Sequence, residues 1–231
     1  MNKPPKIMRE FHVMRGTLKM VYPFETYITV FEDTGGPNEK RLKKYFQKVL
    51  RHGTDDPTGK GSVSQQKKLM IDIEVCDTDL QEYAFAADYD GLGKGQHERV
   101  QEHLHEHDEF TFATEVPVWS TPFELAGKYN DFDWDCVYCA RDQAQCDDCS
   151  DELCRKHIKC SHLLHGHIDV LRVLPDDIIE VADFKPKAEK ERKAASQVWR
   201  YMSLLSMRTG ISTKDMRGVY FDANYSYKLI K

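Results

Sequence analysis

The 231-residue chain is 40% hydrophobic and 31% charged, with a formal net charge of −5. That length suits one large domain, or one domain carrying an insertion, with a proper core. No stretch approaches the roughly 20 apolar residues of a membrane span. The acidic balance excludes a uniformly basic nucleic-acid binder, so any grip on nucleic acid must come from a local patch or a metal ion.

Taken in chain order, MNKPPKIMRE has no apolar segment after its charges, so it is no signal peptide. A cytoplasmic location, for a cellular or a virus- or phage-encoded protein, is the expectation. Residues 18–31 are rich in β-branched and aromatic types and predict one or two strands. Residues 39–51 repeat Leu42, Tyr45, Phe46, Val49 and Leu50 at helical spacing, opposite a polar face of Lys40, Arg41, Lys43, Lys44, Lys48 and Arg51. Residues 52–66 read as a mobile loop and 68–75 as an alternating strand. After a glycine-rich lead, 96–107 read as a helix whose His103, His105 and His107 form a solvated end without a role. Residues 110–119 predict a strand, as do 167–174 and 178–184 about a turn at Pro175-Asp176-Asp177. A helix over 188–207 and a strand or hairpin over 217–229 close the chain. The order suggests a mixed sheet with helices packed on it. The organisation expected is an N-terminal α/β segment of unknown role (1–88), a core formed by 89–123 and 165–231, and an insertion over 124–164.

That insertion holds six of the seven cysteines within 25 residues. Cys136-x2-Cys139 and Cys146-x2-Cys149 are paired knuckles of the kind that wrap tetrahedral zinc. They are the simplest ligand set. Cys154, His157, Cys160 and His162 offer a second site or a different selection. In a reducing compartment such a cluster binds metal rather than forming disulfides. Cysteines alone also hold iron–sulfur clusters, which is the alternative. The metal would fold a lobe too small to bury a core of its own.

The segments around Asp169 and Asp183 carry the chemistry. Asp169 interrupts an apolar strand, where an unpaired carboxylate is costly. Asp183 ends the next strand, and Lys185, two residues on, shares its face. An Asp-x-Lys triplet alone is common at strand ends; a facing carboxylate changes its meaning. Two carboxylates suit a hard divalent cation, and an adjacent ammonium can orient water or stabilise charge on a phosphate.

Five motifs stand in one order: Gly93-Lys94-Gly95-Gln96-His97-Glu98, Glu115-Val116-Pro117-Val118, Gly166-His167-Ile168-Asp169, Asp183-Phe184-Lys185 and Gln197-Val198-Trp199-Arg200-Tyr201. Together, over residues 90–225, they resemble the PD-(D/E)XK nuclease superfamily, in its RecB-like branch with the CRISPR-associated RecB-like exonucleases. The resemblance implies a restriction-endonuclease-like α/β core, a mixed central sheet flanked by helices, carrying the cysteine-rich insertion. It implies that His97, Asp169, Asp183 and the Phe184 carbonyl bind magnesium or manganese. Lys185 would be the catalytic lysine, Gln197 and Tyr201 would support the site and contact DNA, and Glu115 would match an acidic position of less defined role. Relatives with an iron–sulfur cluster place three cysteines after the nuclease motifs. Here no cysteine follows residue 160, which favours zinc.

The expected function is metal-dependent hydrolysis of DNA, at ends or in single strands, in replication, repair or recombination. The alternative is a non-catalytic DNA-binding or assembly protein on the same fold. DNA is the expected partner, with a second copy or a replication or recombination protein as further ones. The lysines of 40–51 and the run Lys185, Lys187, Lys190, Arg192, Lys193 offer phosphate contacts or plain solvated faces.

Overall fold

The computed structural model describes residues 6–13, 16–23, 36–52, 61–66, 68–89, 95–120 and 164–230. Its strands are β1 (Lys6–Val13), β2 (Gly16–Pro23), β3 (Gly61–Ser62), β4 (Ile73–Val75), β5 (Thr111–Ser120), β6 (Leu164–Leu174), β7 (Ile178–Phe184), β8 (Met216–Phe221) and β9 (Ser226–Leu229). Its helices are α1 (Pro37–His52), α2 (Asp79–Tyr89), α3 (Gln96–His107) and α4 (Ala194–Thr209). The strands form one mixed sheet in the order β1-β2-β5-β6-β7-β8-β9-β4, with β3 also paired to β6. The β7–β8 and β3–β6 pairs are parallel and the others antiparallel.

Helices cover both faces, so the central strands are buried on both sides and read as apolar runs rather than alternations. On one face Leu42, Tyr45, Phe46 and Val49 of α1 join Val198, Tyr201, Met202 and Leu205 of α4 over Val116, Ile168 and Val181. On the other, Leu80, Ala84 and Ala87 of α2 join Val100 and Leu104 of α3 over Val170, Ala182 and Val219. Helix α4 stops at Gly210, whose φ of 73° favours a residue without a Cβ and whose N–H donates to the Ser206 carbonyl. Helix α1 starts from a distant cap. Asp177, in the β6–β7 turn, accepts from the backbone N–H groups of Asn38 and Glu39 at 2.6 and 2.9 Å.

Several expectations change. The strand of 68–75 shrinks to Ile73–Val75, an exposed edge strand, because its apolar alternation meets solvent rather than a core. The loop of 52–66 contains β3 and a 3-10 turn whose Val63 is buried. Helix α2 was not foreseen, and residues 188–190 form a separate 3-10 turn before α4. Lys43 is buried instead of solvated and pairs with Glu39 at 2.6 Å. His105 is also buried, with Nε2 2.9 Å from Thr114 Oγ1. The first 88 residues supply β1 to β4 to the common sheet. The zinc expectations at Cys136, Cys139, Cys146, Cys149, Cys154, His157, Cys160 and His162 lie outside the described residues.

Candidate metal centre

The site forms where β7 parts from β6. Strand β7 pairs with β6 only from Val170 to Leu174, and β3 pairs with it at Leu164 and His165. Between these, residues 166–169 have no ladder partner on that side among the described residues. Side-chain chemistry fills the gap. The Phe184 N–H donates to Asp169 Oδ2 at 2.9 Å, where a ladder carbonyl would otherwise accept.

Each neighbouring element adds one group. On β5, Glu115 lies opposite Asp169 in the register defined by the Thr114–Val170 and Val116–Ile168 pairs. From the start of α3, His97 puts Nδ1 3.5 Å from Asp169 Oδ2 and its ring edge-on to Phe184. Ligand atoms of His97, Glu115 and Asp169 lie within 4.8 Å of one another. Asp183 is not part of that trio. It sits beside it, fully buried, with Oδ2 2.7 Å from Lys185 Nζ. A carboxyl–carboxyl hydrogen bond also joins Asp183 to Asp169.

Burial sets the protonation states. It pushes the Asp169 carboxyl up to about 7, against the pull of Lys185. Burial and the neighbouring Asp169 push Asp183 to about 8. Burial also raises Glu115, although Gln101 donates to it at 2.6 Å. His97 is lowered by burial and by Lys185, which favours the neutral imidazole that ligates metals. Burial opposes the charge on Lys185, but Asp183 and Asp169 outweigh it and hold the ammonium protonated.

The residues fit a divalent cation. Three carboxylates face one ammonium in a buried space, so full ionisation leaves two negative charges without a counterion. Oxygen donors with one imidazole suit magnesium or manganese better than a soft ion.

Gln197 and Tyr201 border this cluster from α4, and Gln197 Nε2 donates to the Tyr201 hydroxyl at 2.7 Å. The Tyr201 ring lies over Gly166, where an added Cβ would come within 2.7 Å of its Cε1, so only glycine permits that approach. Two participants were not foreseen. His167, within the Gly166–Asp169 motif but given no role, puts Nε2 3.0 Å from Glu115 Oε2. Gln101 reaches both Glu115 and the Asp169 carbonyl. Its signal was present, since it stands one helical turn from His97.

Compared with known proteins, the chain matches no family model, no curated protein and no solved structure.

Proposed function

We propose that the chain is a divalent-metal-dependent deoxyribonuclease of the PD-(D/E)XK superfamily, in its RecB-like branch, with a restriction-endonuclease-like core. One observation carries the reading: the ligand atoms of His97, Glu115 and Asp169 converge within 4.8 Å beside a buried Asp183–Lys185 pair. A core held together for stability alone gains nothing from three crowded carboxylates, each of which costs desolvation.

His97, Glu115 and Asp169 would hold magnesium or manganese, with Asp183 and the Phe184 carbonyl as the further ligands that the nuclease resemblance implies. Once bound, such an ion polarises a phosphate oxygen and acidifies water. The chain's own residues do the rest. Lys185, tethered by Asp183, keeps donors for the attacking water or a non-bridging phosphate oxygen, where negative charge builds during hydrolysis. Asp169 anchors the start of the Asp-x-Lys turn through the Phe184 N–H. Gln101 and His167 hold the Glu115 carboxylate from two sides. Tyr201, fixed by Gln197, packs its buried ring over Gly166 at the start of the Gly166–Asp169 segment. The proposed substrate is DNA, at ends or in single strands, during replication, repair or recombination. The cysteine-rich segment is proposed to hold structural zinc through Cys136, Cys139, Cys146 and Cys149, with an iron–sulfur cluster as the alternative there.

Labelled single- and double-stranded DNA incubated with magnesium or manganese tests this reading. Wild type should cleave only with added metal, and Asp183→Ala and Lys185→Ala should each lose about 100-fold or more. Metal analysis of the same preparation should find zinc, without the visible absorbance of an iron–sulfur cluster. A folded wild type that cleaves neither substrate with either ion would overturn the nuclease reading and favour a non-catalytic DNA-binding role.

A further inference from the structure

We infer that the basic cleft between α1 and the last turn of α4 is the track for the phosphodiester backbone of the DNA strand cut at the metal centre. This rests on the nuclease reading. The cleft has a volume of about 570 Å³ and is lined by Arg41, Lys44, Tyr45, Lys48, Arg208 and the neighbouring polar residues Gln47 and Thr209. Among the described residues that line it, four are cations and none is a carboxylate, in a chain whose net charge is −5. A local concentration of positive charge against an acidic background focuses the field on a polyanion.

The geometry is built rather than incidental. Arg41, Lys44 and Lys48 are three and four residues apart, so they share one face of α1. The opposite face of the helix is anchored in the core through Leu42, Phe46 and Val49. Arg41 Nη1 donates to the Gly210 carbonyl at 3.0 Å, which fixes one arm of its fork at the rim. Arg208 donates from Nε to the Trp119 carbonyl at 2.6 Å and lies over the Trp119 ring at 5.0 Å. Lys44 and Lys48 are exposed and have no carboxylate partner among the described residues. Two arginines are thus pre-positioned, and two lysines are free to meet phosphates.

Buried contacts also tie the cleft's lining to the site. The Tyr45 hydroxyl donates to the Pro117 carbonyl, and Pro117 pairs with His167, the partner of Glu115. Trp119, beneath Arg208, is four residues beyond Glu115 on β5, about 13 Å along a strand. That is the rise of about four stacked nucleotides. Both arginines are engaged by backbone carbonyls and both lysines are point charges, so the contact should follow phosphates, with Gln47 the one neutral amide of the described lining able to meet a base edge.

The test is anisotropy of labelled oligothymidylate and oligodeoxyadenylate strands, with chelator present to prevent cleavage. Both are titrated with wild type, Lys44→Glu/Lys48→Glu and a control, Lys68→Glu/Lys228→Glu, whose lysines do not line the cleft. The cleft reversal should weaken both strands by about tenfold or more and lower the salt slope by about 1.4, two single-strand phosphate contacts. In cleavage assays the same variant should raise KM and keep kcat. Binding by the reversal equal to wild type, or lost equally in the control, overturns the cleft assignment. Cleavage by wild type with binding indifferent to the reversal sinks the cleft alone. Binding that depends on the cleft, by a wild type that never cleaves, sinks the nuclease reading and leaves the cleft as a DNA-binding surface.

Discussion

Glu115 stands in the left-handed region, φ 52°, in the middle of a strand buried along almost its whole length. For a residue with a Cβ such a conformation costs about 1–3 kcal/mol. Its carboxylate, twisted to meet His97 and Asp169, is the compensation the geometry offers. His167 then acts as its positioning residue. Burial lowers the His167 pKa, so the ring is neutral near pH 7 and can donate Nε2–H to Glu115 Oε2. We predict that His167→Ala weakens manganese binding, read by calorimetric titration, by about 10- to 100-fold. At saturating metal the variant should recover most of its cleavage. A metal affinity unchanged from wild type would remove His167 from the site. Asp169, Asp183 and Lys185 were legible in the sequence because a carboxylate in an apolar strand demands an explanation. His167 was not, because a histidine beside Glu115 becomes visible only once β5 and β6 are in register, whereas Gln101 could have been read from its place one turn after His97.

Between elements, Arg172 is the main polar tie. It is buried in β6, and its guanidinium donates to Asp108 at 2.8 Å, Glu180 at 2.7 Å and Asp79 at 2.5 Å. Asp108 caps the end of α3 and Asp79 begins α2, so one side chain pins both helices to β6 and β7. The Glu180 carboxylate also pairs with Arg217 at 3.0 Å. Arg172→Met would leave Asp108 and Glu180 buried without this counterion, a loss of about 3–5 kcal/mol at neutral pH. Urea unfolding followed by circular dichroism measures it, and a shift below about 1 kcal/mol would show that the cluster is already compensated. Replacing Asp108, Glu180 and Arg172 together by apolar residues should recover most of the loss. The strands at 111–120, 164–174 and 178–184 were legible because both faces are covered, which leaves long apolar runs. Helix α2 was missed because its apolar face is small, largely Leu80, Ala84 and Ala87. The start of α1 was legible, but its cap at Asp177 was not, since that contact joins residues 139 apart.

At the scale of the whole molecule, the crowded carboxylates make the fold and its cation interdependent. Asp169 and Asp183 rise from the ordinary aspartate value of 3.8 to about 7 and about 8 in the fold. Within that window the metal-free fold holds protons that the unfolded chain has released. Their contribution to stability is therefore complete below 3.8 and is lost as pH rises through the folded values. His97 and His167, lowered from 6.5, act in the opposite sense, adding stability as pH rises toward 6.5. The clean interval thus lies from 6.5 to about 8. Across it, Tm in chelator should fall by several degrees, at about 2–4 °C per kcal/mol for a chain of this length. Asp183→Asn removes the higher of these two aspartates and should flatten the slope while raising Tm at the alkaline end. Added manganese should have the converse effect. It binds the deprotonated carboxylates, so the increase in Tm that it produces should grow with pH over the same interval. Thermal scans with chelator or manganese, on wild type and Asp183→Asn, read all of these slopes. A wild-type Tm that stays flat or rises in chelator, or an unchanged slope in Asp183→Asn, would mean that the carboxylates are stabilised within the chain and have no need of a cation.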